Sequence, residues 1–198
     1  MTQSVNGKIF IISGPSGVGK TTICKQLCNS IPHLKWSISA TTRPQRSGEI
    51  DGSDYYFLNS DEFLEKLDKN EFLEYAQVHG NYYGTPITPI EQGLAIGDSY
   101  LLEIDVQGAK KIQQQKKFSP IFIFIAPPDW KTLEQRLINR NTDSAETIKM
   151  RLQNAKTELE QQDFYHHIII NENLEQAIKK IQDIIVKMQG VERETIGN

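Results

Sequence analysis

The stretch "GPSGVGKT", Gly14 to Thr21, decides the fold. It matches glycine, four residues, glycine, lysine, threonine, directly after a short β-rich run (KIFIIS, Lys8–Ser13) and at the opening of a helical pattern from Gly19 to about Asn29. Glycines at this spacing let the main chain curl so that successive N–H groups point inward. Together with the helix N-terminus, those donors cradle a β-phosphate. Lys20 reaches the β/γ oxygens as a point charge, and Thr21 offers its hydroxyl to Mg²⁺. A chance glycine turn before a helix would not carry all eight positions in this strand–helix context. Gly14, Pro15, Ser16, Gly17, Val18, Gly19, Lys20, Thr21 and the adjacent Thr22 are therefore the expected cradle of a Mg²⁺-bound nucleoside triphosphate. Whether the γ-phosphate is hydrolysed, transferred or used for mechanical work is open at this point.

Working outward, apolar runs alternate with helical patterns. Ser99–Val106 (SYLLEIDV), Pro120–Ala126 (PIFIFIA) and His166–Asn171 (HHIIIN) read as further strands. Helical patterns lie between them, and in the last one Leu174, Ala177, Ile178, Ile181, Ile185 and Met188 recur at three and four. Strands separated by helices imply right-handed crossovers and a parallel sheet covered on both faces. The expected fold class is α/β: a three-layer phosphate-loop NTPase core (1–38, 90–128 and 163–198) with two additions. One is a small mixed, β-rich lobe over 39–89; the other is a helical segment over 129–162. Inside the lobe, Asn59 and Glu62 form a capping-box pattern for a short helix whose apolar side is Phe63, Leu64 and Leu67. In the helical segment, the turn "NRNTDSAE" separates two helices, with Asp143 and Glu146 as the cap pair of the second.

Composition narrows the function classes. The 198 residues carry a net charge of −3, which argues against non-specific binding to nucleic acid or an anionic membrane surface. Ile9–Ile12 is too short for a secretory signal, and no apolar run approaches membrane-spanning length. The two cysteines, Cys24 and Cys28, sit four apart on a helix, read as small apolar residues, and suit a reducing cytoplasm. A soluble, cytoplasmic protein is expected.

A second anion site is written into "SATTRPQRSGEIDGSDYYF", Ser39 to Phe57. Arg43 and Arg46 are three apart, and the planar guanidinium fork suits a phosphate dianion. Tyr55 follows, and "NYYGTP" (Asn81–Pro86) adds Tyr83 and Thr85. A phenol can donate to a phosphate oxygen while its ring faces a base. Glu74 stands between them in "EFLEYAQ". Tyr56 and Tyr82 read as packing residues, and Glu49, Asp51 and Glu71 as solvated charges.

Taken together, "GPSGVGKTT", "SATTRPQRSGEIDGSDYYF", "EFLEYAQVHGNYYGTP", "LLEIDVQGAK" and "RNTDS" resemble the guanylate kinases, in order from about residue 8 to 171. The phosphate loop alone is generic; the T-T-R-P-x-R, G-N-Y-Y-G-T and E-I-D-V-Q-G blocks are far more specific. The resemblance implies transfer of the γ-phosphoryl group of ATP to GMP or dGMP with Mg²⁺. Arg43, Arg46, Tyr55 and Tyr83 would grip the GMP phosphate. Ser39, Glu74 and Thr85 would read guanine, with Glu103 or Asp105 close by. Asp105, at the end of the strand 99–106, would help Thr21 order Mg²⁺ and its waters, the competing role being a loop-capping carboxylate. Arg136, Arg140 and Arg151 match the family's mobile lid and, with Lys20 and Arg43, would supply the catalytic positive charge. Asn171 would touch the adenine of ATP.

Glu74 has a physical rationale. Guanine presents adjacent N1–H and N2–H₂ donors, and one carboxylate accepts both. Adenine's N1 lone pair would face it unpaired, and a site built this way rejects the wrong base by roughly 10⁴-fold. Two other readings compete: a catalytically silent phosphopeptide-binding domain of guanylate-kinase type, against which the intact Gly19, Lys20 and Thr21 argue, and a kinase for a different monophosphate, against which Glu74 and T-T-R-P-x-R argue. The chain departs from the family at Asn141, where glycine is usual in the lid turn, at Gln45 in place of a second proline, and at Trp130 in place of a small polar residue. Monomer and homodimer are both open.

Overall fold

The computed structural model describes residues 7–78, 80–139 and 145–190. A five-stranded, fully parallel sheet has the order β2 (Leu34–Trp36), β7 (Ser99–Glu103), β1 (Ile9–Ser13), β8 (Ile121–Ala126), β9 (His167–Ile170). Every residue of β1 is buried. Phe10 and Ile12 join one apolar cluster with α1 (Lys20–Ser30) and α7 (Leu174–Gln189). Ile9 and Ile11 join the other, with α3 (Ile87–Ala95) and α4 (Val106–Gln115). Two-sided burial is why β1 reads as a continuous apolar run rather than an alternating one. The three-layer α/β architecture follows from these two clusters.

A second, mixed sheet is formed by β4 (Tyr56–Phe57), β3 (Ala40–Thr41), β6 (Asn81–Pro86) and β5 (Phe72–Val78), in that order, with α2 (Ser60–Asp68) packed on it. The capping box of α2 is formed: Asn59 Oδ1 accepts from the Glu62 N–H and Glu62 Oε2 from the Asn59 N–H, both at 2.9 Å. Phe63 is fully buried between Phe72 and Tyr82, which stack on it. The segment 129–162 forms α5 (Trp130–Ile138) and α6 (Ala145–Leu159), which share a small apolar cluster around Leu133, Leu137 and Ala155. Among the described residues no helix is long and apolar enough to cross a membrane.

Several expectations shift. β2 was not anticipated: Leu-Lys-Trp is too short, and too interrupted by charge, to register as a strand until β7 supplies its partner. Helix α3 was also not anticipated. It carries Pro89 in its first turn, where proline is tolerated, and buries Ile90 and Gly93. The strand expected to run to Val106 ends at Glu103, and Asp105 caps α4. Leu64 and Met188 are exposed rather than core, and Tyr56 faces solvent rather than packing. Cys24 is buried and Cys28 partly so, both as free thiols. The cap pair's Asp143 lies outside the described residues.

Candidate active site

The phosphate loop lies at the carboxyl end of β1, the central strand, in the crevice where open α/β sheets bind ligands. Gly14 (φ 147°) and Gly19 (φ 98°) hold backbone angles that L side chains rarely adopt. Lys20 folds back over the loop, its Nζ donating to the carbonyls of Gly14 (2.6 Å) and Pro15 (3.0 Å). Thr21 Oγ1 donates to Glu103 Oε1 at 2.8 Å, so a hydroxyl and a carboxylate meet at the foot of the loop. The Asp105 carboxylate is engaged elsewhere: its Oδ1 accepts from the Gly108 N–H at 2.7 Å as the N-cap of α4, the capping role weighed against metal binding.

The helical segment leans on the same loop. Arg151 donates to Ser16 Oγ at 3.1 Å, and Arg136 donates to the Asn171 carbonyl at 3.0 Å. Asn171, expected against adenine, is buried, and its Nδ2 donates to the Val18 carbonyl at 2.8 Å. In this arrangement it braces the phosphate loop from behind. Arg140 and Asn141 lie outside the described residues. Trp130 opens α5 and is half exposed; nothing in the structure explains it.

Across the crevice, the Arg43 guanidinium lies over the rings of Tyr55 (5.4 Å) and Phe57 (5.7 Å) and donates to the Pro44 carbonyl and to Glu49 Oε1, each at 2.7 Å. Glu49 Oε2 accepts from the Arg46 N–H at 2.8 Å. Glu49 is thus not a solvated charge. The hydrogen bond from Arg43 holds its carboxyl below the usual range. Asp51 and Glu71 do face solvent as expected: the exposed Asp51 accepts from the Phe57 N–H at 2.9 Å, and the partly exposed Glu71 pairs with Lys66 at 2.9 Å. Tyr55 and Tyr83 meet edge to face at 6.1 Å, and burial pushes the Tyr55 phenol up to about 12, so it remains a donor at neutral pH.

Glu74 lies at the end of the crevice. A register irregularity between Phe72 and Glu74 breaks the in–out alternation of β5, so that Leu73 turns to the core and Glu74 to the site. The carboxylate is 6% exposed and its Oε1 accepts from Thr85 Oγ1 at 2.6 Å. Burial, only partly offset by that bond, pushes its pKa up to about 7. A buried acid on this scale is a hallmark of functional sites.

These groups share one cavity of about 580 Å³. Its floor holds Gly14, Ser16, Lys20 and Thr21; the lobe contributes Ser39, Arg43, Arg46, Tyr55, Glu74 and Tyr83; Glu103, Asp105 and Arg151 are among its other lining residues. Pro15, Gly17, Val18, Gly19, Thr22, Arg136 and Asn171 belong to the loop and its supports, and Thr85 acts through Glu74. Glu158 on α6 also lines the cavity and escaped the sequence reading. Its Oε2 is buried with no hydrogen-bond partner among the described residues, and burial pushes its pKa up to about 7. The available signal was its spacing of seven from Arg151, which places both on one helical face.

The guanylate kinase family model matches residues 6–188. A guanylate kinase of Geobacter metallireducens is 42% identical over 180 residues, covering 91% of this chain and 88% of that protein. One from Carboxydothermus hydrogenoformans is 45% identical over 181 residues, covering 90% and 87%. The crystal structure of guanylate kinase from Anaplasma phagocytophilum superposes with a TM-score of 0.78 at 32% identity, covering 96% of this chain and 89% of that one. With the family model spanning nearly its whole length and relatives this similar, the chain belongs to the guanylate kinase family.

Proposed function

We infer that this protein transfers the γ-phosphoryl group of ATP to GMP, giving ADP and GDP. The observation that carries the reading is the buried Glu74 carboxylate, bonded to Thr85, at one end of a cavity whose other end is the phosphate loop. ATP would lie with its phosphates on the N–H groups of Gly14–Thr21, and GMP with its phosphate at Arg43, Arg46, Tyr55 and Tyr83. The GMP phosphate is already anionic, so no general base is needed; catalysis is alignment plus neutralisation of the moving charge by Lys20, Arg43, Arg136, Arg140 and Arg151. Glu49 accepts from Arg43, whose guanidinium lies over the Tyr55 and Phe57 rings, which holds it at the cavity wall. The lobe (39–89) and lid (129–162) would close to exclude water, which otherwise takes the phosphoryl group.

Mg²⁺ fits the oxygen donors at the foot of the loop. The Thr21 hydroxyl and the Glu103 carboxylate already face one another there, a hard-ligand pair of the kind that leaves room for substrate phosphates and water. When bound, the ion neutralises the β- and γ-phosphate oxygens. Asp105 was expected on this metal side, but its carboxylate caps α4 beside Glu74. We therefore assign Glu103 to the metal side and Asp105 to the guanine side. No candidate residue singles out the ribose 2′-hydroxyl, so dGMP should also serve. The cytoplasm, where both nucleotides and Mg²⁺ are available, suits this chemistry.

The test is ADP release with GMP, AMP, CMP, UMP and dTMP in turn. GMP alone should support rapid turnover; equal rates with AMP would overturn the reading.

A further inference from the structure

Guanine selectivity is usually sought in the lobe that carries the reading carboxylate, but the structure ties that carboxylate to a core helix. β5 is the outer strand of the second sheet, so among the described residues its far edge has no strand neighbour. Helix α4 lies along it. Gln115 Nε2 donates to the Leu73 carbonyl at 2.9 Å, and Lys111 Nζ donates to the Tyr75 carbonyl. These two carbonyls flank Glu74 on either side. Gly108, Lys111 and Gln115 are spaced by three and four and so share one face of α4. At the N-terminal end of that face, a Cβ on Gly108 would stand 2.5 Å from Glu74 Oε2, 3.0 Å from its Cδ and 3.4 Å from Asp105 Oδ1. Nothing larger than glycine fits without moving the carboxylate.

We propose that Gly108 is a specificity-determining positioning residue: α4, tethered to β5 through Lys111 and Gln115, presents bare backbone to the Glu74 carboxylate and thereby fixes the orientation in which it meets guanine. Thr85 holds Oε1 and the Gly108 surface confines Oε2. A carboxylate that accepts two parallel N–H bonds needs both constraints, because rotation about its last bond would turn one oxygen away from its donor. This rests on Glu74 being the guanine acceptor. It adds that a residue 34 positions away, in the core rather than the lobe, sets the discrimination.

Gly108→Ala is a sharp probe. Alanine is a better helix former than glycine, so the backbone of α4 has no reason to suffer. The added methyl instead acts on Glu74. Steady-state kinetics of the full chain should be measured with GMP, with IMP, which keeps N1–H but lacks the 2-amino group, and with varied ATP. A displacement of about 1 Å at a reading group costs on the order of 100-fold. The variant should therefore lose about 10–100-fold in kcat/KM for GMP and less for IMP, narrowing the GMP/IMP ratio by about tenfold, with KM for ATP within about twofold. Glu74→Asp, one methylene shorter, should recover part of that ratio in the Gly108→Ala background while lowering it in the parent. A folded Gly108→Ala protein with the parent's GMP/IMP ratio would overturn the proposal. If the single variant does not fold, the Gly108→Ala, Glu74→Ala double variant should, because the clash partner is gone; a double variant that also fails to fold overturns it too. The parent's preference for GMP over AMP tests the function itself, so the two readings fail separately.

Discussion

The two walls of the cavity are built by opposite means. On the ATP side the groups that would meet substrate are mostly main-chain N–H donors from one short loop, Gly14–Thr21, in which only Pro15 has no N–H; the loop is shaped by Gly14 and Gly19 and braced by Lys20, Arg151 and the Asn171 amide. On the GMP side they are side chains drawn from the residue before β3, the loop after it, β5 and β6, and three of them are held by another side chain: Arg43 by Glu49, Glu74 by Thr85, Tyr55 by Tyr83. A main-chain site tolerates change in most of its side chains but not in its path. A side-chain site tolerates change in path but not in its partners.

Lys20→Ala is expected to have the largest effect. It removes the charge carried by the phosphate loop itself, which on the proposed reading meets the negative charge that shifts during transfer, and losses of about 10²–10³-fold in kcat are typical for such a group. KM for GMP should stay within about twofold. A parallel rise in KM for GMP, measured in the same assay, would show that the walls are not separable. Arg43→Ala is the mirror experiment. Losing charge-assisted hydrogen bonds worth about 1.5–3 kcal/mol should raise KM for GMP by about 10–100-fold, with KM for ATP little changed.

The same contrast explains what could be read from the chain before folding. The phosphate loop was legible because it is a path of main chain, and Gly14, Gly17 and Gly19 spell that path within one short stretch. The parallel sheet was legible in β1, β7, β8 and β9 for a similar reason, since each is a self-contained apolar run. β2 was not, because Leu34–Trp36 becomes a strand only through its partner β7. On the GMP wall the residue types were legible but not their pairings. Glu49 looked solvated because nothing in the sequence says that the loop after Arg46 doubles back to place it on Arg43. Glu103 and Asp105 could not be separated because they are two apart, and only the strand's end at Glu103 turns one toward Thr21 and the other toward Gly108. Glu158 escaped notice because its spacing from Arg151 says only that they share a helix face, and its place at the cavity comes from where α6 docks.

A smaller effect is expected in the pH dependence of the GMP wall. Burial raises the Glu74 pKa to about 7, above the ordinary glutamate value near 4.3. The sign follows from that direction. The protonated form is favoured by the fold, so the associated stability is complete below about pH 4 and is lost as pH rises through about 7. On the proposed reading guanine binding needs the carboxylate, so kcat/KM for GMP should fall as pH drops below about 7, by no more than about tenfold per pH unit. Glu74→Gln should remove this limb, leaving the ionisation of the GMP phosphate near pH 6, and should also cost guanine preference. An unchanged acid limb in the glutamine variant, read from kcat/KM profiles, would assign the titration to another group, with Glu158, also raised to about 7, the next candidate.

The smallest effect tests whether the GMP wall has stability of its own. Asn59 caps α2 through the reciprocal bonds with Glu62, and α2 seats Phe63 against Phe72 and Tyr82 behind the strands that carry Glu74 and Tyr83. Asn59→Ala removes one of those bonds and should cost about 1 kcal/mol. Spread over a chain of this size, that lowers Tm by about 2–4 °C if the lobe unfolds with the core. If the lobe unfolds by itself, the loss appears instead as faster amide exchange in β5 and β6 with an unchanged main transition. The tethers from Lys111 and Gln115 to β5 favour the first outcome, because they make the outer strand of the lobe a neighbour of the core helix α4. Calorimetry together with exchange in α2, β5 and β6 separates the two, and an Asn59→Ala protein with normal exchange and normal Tm would remove the capping box from any account of how the GMP wall is held.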